Sequence, residues 1–272
     1  MFIKRALVTI ILMPIGIWAI SLGGWFFTIV VSIFMVGAAW EYARLFRLAG
    51  LKPAGFLIVG GAALLLLGRL FNGFESAPAL ISLLVLASLT YHLVAYERGS
   101  DQAGTEFGIT LGGLFYIGWI GAYLISLRGL PDGKWWTFLV LPSCWLADSA
   151  AYLVGTRIGK HKMAPRLSPK KSWEGYFGGI FFGTLLSVAL AAGLRALAGS
   201  STSITPLSGL CVGLVMSILP TLGDLGESMI KRQVRTKDSS NLLPGHGGFF
   251  DRVDSWLWAG VLGYYLITWL WL

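Results

Sequence analysis

Long apolar runs constrain this chain more than any other feature. A helix needs about 20 mainly apolar residues to cross a bilayer. Nine segments approach or exceed that length: 6–21, 24–46, 54–72, 77–96, 104–127, 135–156, 173–198, 205–229 and 253–271. In lipid every backbone N–H and C=O must find a partner within the fold, which leaves helices or closed barrels. Runs this long read as helices. The expected fold class is all-α: a polytopic integral membrane protein with about nine transmembrane helices. The first run is short, and only Ser21-Leu22-Gly23-Gly24 separates it from the second, so eight is the alternative count. Composition excludes a soluble domain. Hydrophobic residues make up 56% of the chain and charged residues 12%, against about 25% charged in soluble domains. Twelve Trp suit membrane interfaces. Cys144 and Cys211 lie in apolar runs with no CxxC, as buried free thiols do. The N-terminal stretch lacks a small-residue cleavage site and reads as a retained first helix. Glycine pairs (Gly60-Gly61, Gly112-Gly113, Gly178-Gly179) let helices approach closely and leave a homodimer open. No internal repeat of the transporter kind is visible.

Lys and Arg orient the runs. With the N-terminus cytoplasmic, 17 of the 21 fall on inside loops or span ends, and only Arg69, Arg128, Lys134 and Arg195 fall outside. That is a strong positive-inside bias. It also accounts for the net charge of +8 without nucleic acid, because basic loops face anionic lipid. The two most polar loops, 157–172 and 230–252, both fall on the inner side, where nucleotide triphosphates are found.

Chemistry concentrates in residues 223–255. Asp224 and Glu227 are three apart, as are Asp251 and Asp254, so each pair shares a helix face. Acids at membrane depth are costly unless paired, neutralised or bound to metal. Oxygen ligands beside a phosphate substrate point to Mg²⁺. Lys231, Arg232, Arg235, Lys237 and Arg252 lie between or beside the acids and suit phosphate groups. Pro244-Gly245-His246-Gly247-Gly248 adds a tight turn with amides for an anion. Asp148 is a further ionisable group inside an apolar run. Basic loops alone follow from topology, but the acids do not. Glu41 and Arg44 read as a structural pair, and His92 and His161 as interface or loop residues. Ser168-Pro169 is expected to turn the chain, with Ser172 capping the next helix and Glu174 in its first turn.

The run from Ser228 to Asp254 resembles the signature of the phosphatidate cytidylyltransferase (CDP-diacylglycerol synthase) family. The matching residues are Ser228, Lys231, Arg232, Lys237, Asp238, Pro244, His246, Gly247, Gly248, Asp251, Arg252 and Asp254. Ser240 stands where the family commonly has Gly, a departure expected to have little effect. Residues 145–175 are similar to the family's second pattern, an Asp near a span end and an SPKK-type segment, with Ala150 where many relatives have Gly. The resemblance is specific over these two regions and only general over 1–140. It divides the chain into N-terminal transmembrane helices (1–140) with little marked chemistry and a catalytic transmembrane region (141–272) with two cytoplasmic basic loops.

The resemblance implies transfer of CMP from CTP to phosphatidic acid, giving CDP-diacylglycerol and pyrophosphate. It implies catalytic roles for Asp224, Asp251, Asp254, Lys237 and His246. Substrate contacts are expected from Lys231, Arg232, Arg252, Gly247, Gly248, Lys170, Lys171 and Ser228. The expected Mg²⁺ ligands are Asp224, Asp251, Asp254, Asp148 and Glu227, with the number of ions and the use of a monovalent cation left open. The expected setting is the inner membrane of a bacterial-type cell, with membrane lipids as partners, no nucleic acid, and the active site facing the cytoplasm. Three rivals remain at this level: a CTP-dependent transferase for another lipid phosphate, an anion transporter, and a structural protein with lipid-binding basic loops. Against the transporter stands the clustering of marked residues at one membrane face rather than the midplane.

Overall fold

The computed structural model describes residues 2–199, 201–243, 245 and 247–272, with the side chains of residues 2–9 outside that description. The chain is nearly all α-helical, as backbone accounting in lipid requires. Its helices are α1 Phe2–Leu22, α2 Gly24–Leu48, α3 Gly55–Asn72, α4 Ala77–Glu97, α5 Ala103–Gly113, α6 Tyr123–Gly129, α7 Gly133–Ile158, α8 Trp173–Ala198, α9 Pro206–Ile218, α10 Thr221–Gln233 and α11 Phe250–Leu270. Among the described residues, seven segments are long and apolar enough to cross a membrane: Gly24–Leu48, Gly55–Asn72, Ala77–Glu97, Ala103–Gly129, Gly133–Ile158, Trp173–Ala198 and Pro206–Gln233. The other two runs are also helical. Ile10–Leu22 is shorter, and α11 opens on Asp251, Arg252 and Asp254.

Three segments differ from the sequence expectation. The run 104–127 is not one regular helix, because a π-helical stretch, Leu114–Trp119, separates α5 from α6. The run 205–229 breaks at Leu219-Pro220, where proline supplies no N–H and starts α10 instead. The basic loop 157–172 contains an antiparallel hairpin, β1 Lys162–Ala164 and β2 Ser168–Ser172. Its turn lies at residues 165–167, ahead of the expected Ser168-Pro169. Pro169 is tolerated within β2 because both strands of a two-stranded sheet are edges.

Packing divides the chain into two compact units: residues up to Ser126 with Ile230–Val253, and Leu127–Met229 with Asp254–Leu272. In the first, α2 and α3 pack with α5 and the π stretch around Met35, Leu45, Ile58, Leu66 and Ile117. Several of its buried polar groups pair across the fold. Glu106 accepts the Lys52 N–H at 2.7 Å and the Ser100 hydroxyl at 3.0 Å. Arg69 donates to Ser126 Oγ at 2.9 Å with its guanidinium 3.5 Å from the Phe74 ring centroid. His92, expected at an interface or loop, is buried in α4, with Nδ1 2.8 Å from the Ser88 carbonyl oxygen. Helix-to-helix polar pairing keeps it inside, since Thr110 Oγ1 stands 3.4 Å from its other ring nitrogen.

In the second unit, α7, α8 and α9 pack through small residues. A Cβ at Gly183 of α8 would lie 2.7 Å from Ala147 Cα and 2.8 Å from Ser217 Oγ. At Gly179 it would lie 2.8 Å from Ala151 Cβ. In lipid, helices gain little from excluding water, so such close contact supplies much of the attraction. It also fixes the rotation of α7, and with it the direction of Asp148. The Tyr176 hydroxyl donates to the Ile218 carbonyl at 3.2 Å, satisfying one acceptor freed at the end of α9.

Gly183→Val should therefore cost about 1–3 kcal/mol through overpacking. Gly193→Val, on the same helix with open space around it, should leave stability unchanged. Thermal unfolding of the two variants in detergent compares them directly.

Candidate active site

Helix α10 carries the acids. Asp224, Glu227, Ser228 and Lys231 recur at i, i+3, i+4 and i+7 and so share one face, while Leu222 and Met229 are exposed away from it. Gly223 lets α11 come close: a Cβ there would lie 2.5 Å from the Asp254 carbonyl oxygen and 2.6 Å from Trp258 Cδ1. That approach brings acids from two helices together. One carboxylate oxygen from each of Asp224, Glu227 and Asp254 lies within 4.8 Å of the others. Glu227 is 1% exposed, and the other two are half-buried. Ser228 Oγ is 3.5 Å from Asp224 Oδ1.

Like charges about 5 Å apart repel by about 3 kcal/mol at an effective dielectric constant of 20. One cation is already at hand: Lys171 Nζ lies 2.6 Å from Asp224 Oδ2. The hairpin delivers it. Ser172 ends β2 and caps α8 by accepting the Gly175 N–H at 3.2 Å. Glu174 accepts the Lys160 and His161 N–H groups, each at 3.1 Å, tying the end of α7 to the start of α8. Its carboxylate also meets the exposed His161 ring. Asp148 of α7 is exposed and interacts electrostatically with Lys171 and Asp224. Three carboxylates with oxygen-only donors and one lysine suit a hard divalent cation better than a soft one.

The loop from α10 to α11 is organised separately. Asp251 Oδ1 accepts from Lys231 Nζ at 2.6 Å. Its Oδ2 accepts from the Ser239 N–H at 3.0 Å, the Ser239 hydroxyl at 2.7 Å and the Gly248 N–H at 2.8 Å. Asp251 was expected among the metal ligands. Here it holds its own loop, with Lys231, an expected phosphate contact, as its ion-pair partner. The Gly248 amide is committed to the same carboxylate. Gly247, at φ 80°, accepts the Leu243 N–H through its carbonyl at 2.9 Å. Lys170, Arg232, Lys237 and Arg252 are exposed, with Arg232 donating to the Thr236 carbonyl at 3.1 Å. Pro244 and His246 lie outside the described residues.

Sequence spacing pairs Glu41 with Arg44, but the structure sends both to this loop. The Glu41 carboxylate accepts the Ser239 hydroxyl at 2.8 Å, the Ser240 hydroxyl, and the Phe249 and Phe250 N–H groups at 3.0 and 2.8 Å. Arg44 Nη1 donates to the Ser239 carbonyl at 3.4 Å. Ser239 Oγ is within reach of both Glu41 and Asp251, and its single proton serves one at a time. Ser240, expected to matter little, has a definite partner. The signal for Glu41 was an acid within an apolar helix, the same signal that marked Asp148.

Residues 3–270 match the Cytidylyltransferase family. The chain is 32% identical to the phosphatidate cytidylyltransferase of Bacillus subtilis over 97% of each chain. It is 34% identical to the phosphatidate cytidylyltransferase of Pseudomonas aeruginosa, covering 93% of this chain and 92% of the relative. It is also 34% identical to that of Brucella suis, over 96% and 91% respectively.

The Lys231–Asp251 pair offers a stability test, since both side chains are largely buried, at 12% and 7% exposure. Removing one partner of a buried pair costs about 3 kcal/mol. Lys231→Met and Asp251→Asn should each lower Tm in detergent. The double variant should fall short of their sum by about 1–3 kcal/mol.

Proposed function

Because the chain belongs to the cytidylyltransferase family, we infer that it transfers CMP from CTP to phosphatidic acid, forming CDP-diacylglycerol and releasing pyrophosphate. The observation that carries this reading is the convergence of Asp224, Glu227 and Asp254 on two helices that flank a basic loop. A phosphate oxygen of the lipid attacks the α-phosphorus of CTP. The bond from that phosphorus to the bridging oxygen breaks, and pyrophosphate leaves. The lipid phosphate is already ionised near neutral pH, so no strong base is needed and positioning dominates the rate.

Asp224, Glu227 and Asp254 would hold Mg²⁺, with Asp148 nearby, and the bound ion supplies neutralisation of the triphosphate and of the leaving group. Lys171 keeps Asp224 in place and offsets part of the acid charge. The exposed Lys170, Arg232, Lys237 and Arg252 bind phosphate oxygens, and His246 with the Gly247 turn contacts the nucleotide. Asp251 and Lys231 keep that loop in shape. The distribution of Lys and Arg supports nine spans, a cytoplasmic N-terminus, and loops 157–172 and 230–252 on the cytoplasmic side of a bacterial inner membrane.

Purified protein given labelled CTP and phosphatidic acid should yield lipid-soluble label only when Mg²⁺ is present. Asp224→Asn should lower kcat/KM by more than about 100-fold and displace the Mg²⁺ dependence upward. Activity near wild type across all Mg²⁺ concentrations would remove Asp224 from the metal ligands. For topology, single cysteines are introduced into a chain lacking Cys144 and Cys211. Asp101→Cys should react with an impermeant thiol reagent from the cytoplasmic side only, and Pro131→Cys from the opposite side only.

A further inference from the structure

Glu41 lies on α2, in the half of the chain that motif matching leaves without chemistry. It is 0% exposed. A carboxyl group so buried needs donors in place of its lost water. Four donors do so, all from one distant stretch: the Ser239 and Ser240 hydroxyls and the Phe249 and Phe250 amides. The Phe250 amide opens α11, where N–H groups have no partner within the helix. Glu41 therefore caps that end from 208 residues before Phe249.

The fit continues along the same face of α2. One turn before Glu41, a Cβ on Gly37 would lie 2.6 Å from the Phe249 ring. One turn after it, Arg44 reaches the Ser239 carbonyl. From the loop side, a Cβ on Gly248 would lie 2.1 Å from Ser239 Oγ and 2.3 Å from Glu41 Oε2. The loop closes on the carboxylate with no space for a methyl group between them.

We propose that Glu41 is a positioning residue of the transferase: it holds the loop 234–249 in the shape that presents Lys237 and the Gly247 turn to the nucleotide. The proposal rests on the CTP-dependent reading above. Glu41 does not touch substrate in this scheme. It acts through Ser239, Ser240 and the first amides of α11. The acceptor count matters, because a carboxamide accepts at one atom only and turns its NH₂ group toward two of the four donors.

The test uses the purified full-length protein. Glu41→Gln should raise KM for CTP about 10-fold or more, while KM for phosphatidic acid stays within about 2-fold. Hydrogen exchange of the amides at 239–243 and 247–250 should accelerate in the same variant. Glu41→Asp keeps both acceptor oxygens on a shorter arm and should fall between wild type and Glu41→Gln. A merely structural role predicts instead that activity falls with the folded fraction and both KM values stay put, and that result overturns the proposal. Unchanged loop exchange in folded Glu41→Gln overturns it as well. If Glu41→Gln does not fold, Ser240→Ala and Gly248→Ala carry the test. Both should raise KM for CTP selectively, and wild-type values in both overturn the proposal. Wild-type protein that makes no CTP-dependent lipid product overturns the reaction itself. Normal wild-type turnover with normal Glu41→Gln kinetics overturns only the role of Glu41.

Discussion

Carboxylates in an apolar chain must be compensated, and much of this structure follows from how that is done. Each buried acid collects its own donors or cations. Glu106 takes an amide and a hydroxyl, Glu41 takes the Ser240 hydroxyl and two amides, Asp251 takes a lysine and two loop amides, and the Ser239 hydroxyl is shared between the last two. Asp224, Glu227 and Asp254 are different, because they face one another. The first three acids build the protein. The last three also form a cluster of oxygen donors that would suit a bound cation.

Small residues let the acids be placed where they are. Gly223 admits the backbone of α11, so that carboxylates on two helices meet. Gly179 and Gly183 admit α7, so that Asp148 keeps one direction. The hairpin, tied by Glu174 and Ser172, sets Lys171 beside Asp224. Backbone proximity, more than side-chain interdigitation, fixes these positions, as expected where solvent exclusion contributes little between helices.

The helical character of the chain and the shared helix face of Asp224 and Glu227 were legible from periodicity, because apolar length and i, i+3 spacing are local properties. The break at Pro220 was also local, but an apolar run on both sides concealed it. The hairpin at 162–172 was hidden by charge and proline, which read as loop. The role of Glu41 was not legible at all from spacing, since its partners lie about 200 residues away and three residues along the helix stood an inviting Arg44. Asp251 shows the converse. Its motif position marks it as important, yet only the structure reveals that its oxygens accept from its own loop.

The Lys171–Asp224 contact has a bearing on how such a protein comes into being. Many small metal-binding domains cannot fold until the ion arrives, because its binding supplies most of their folding free energy. Here an ammonium tethered to the chain already stands against one acid of the group. Helix assembly at this acid can then proceed with the balancing charge supplied by the chain itself, and a cation that bound there would do so by exchanging with the ammonium.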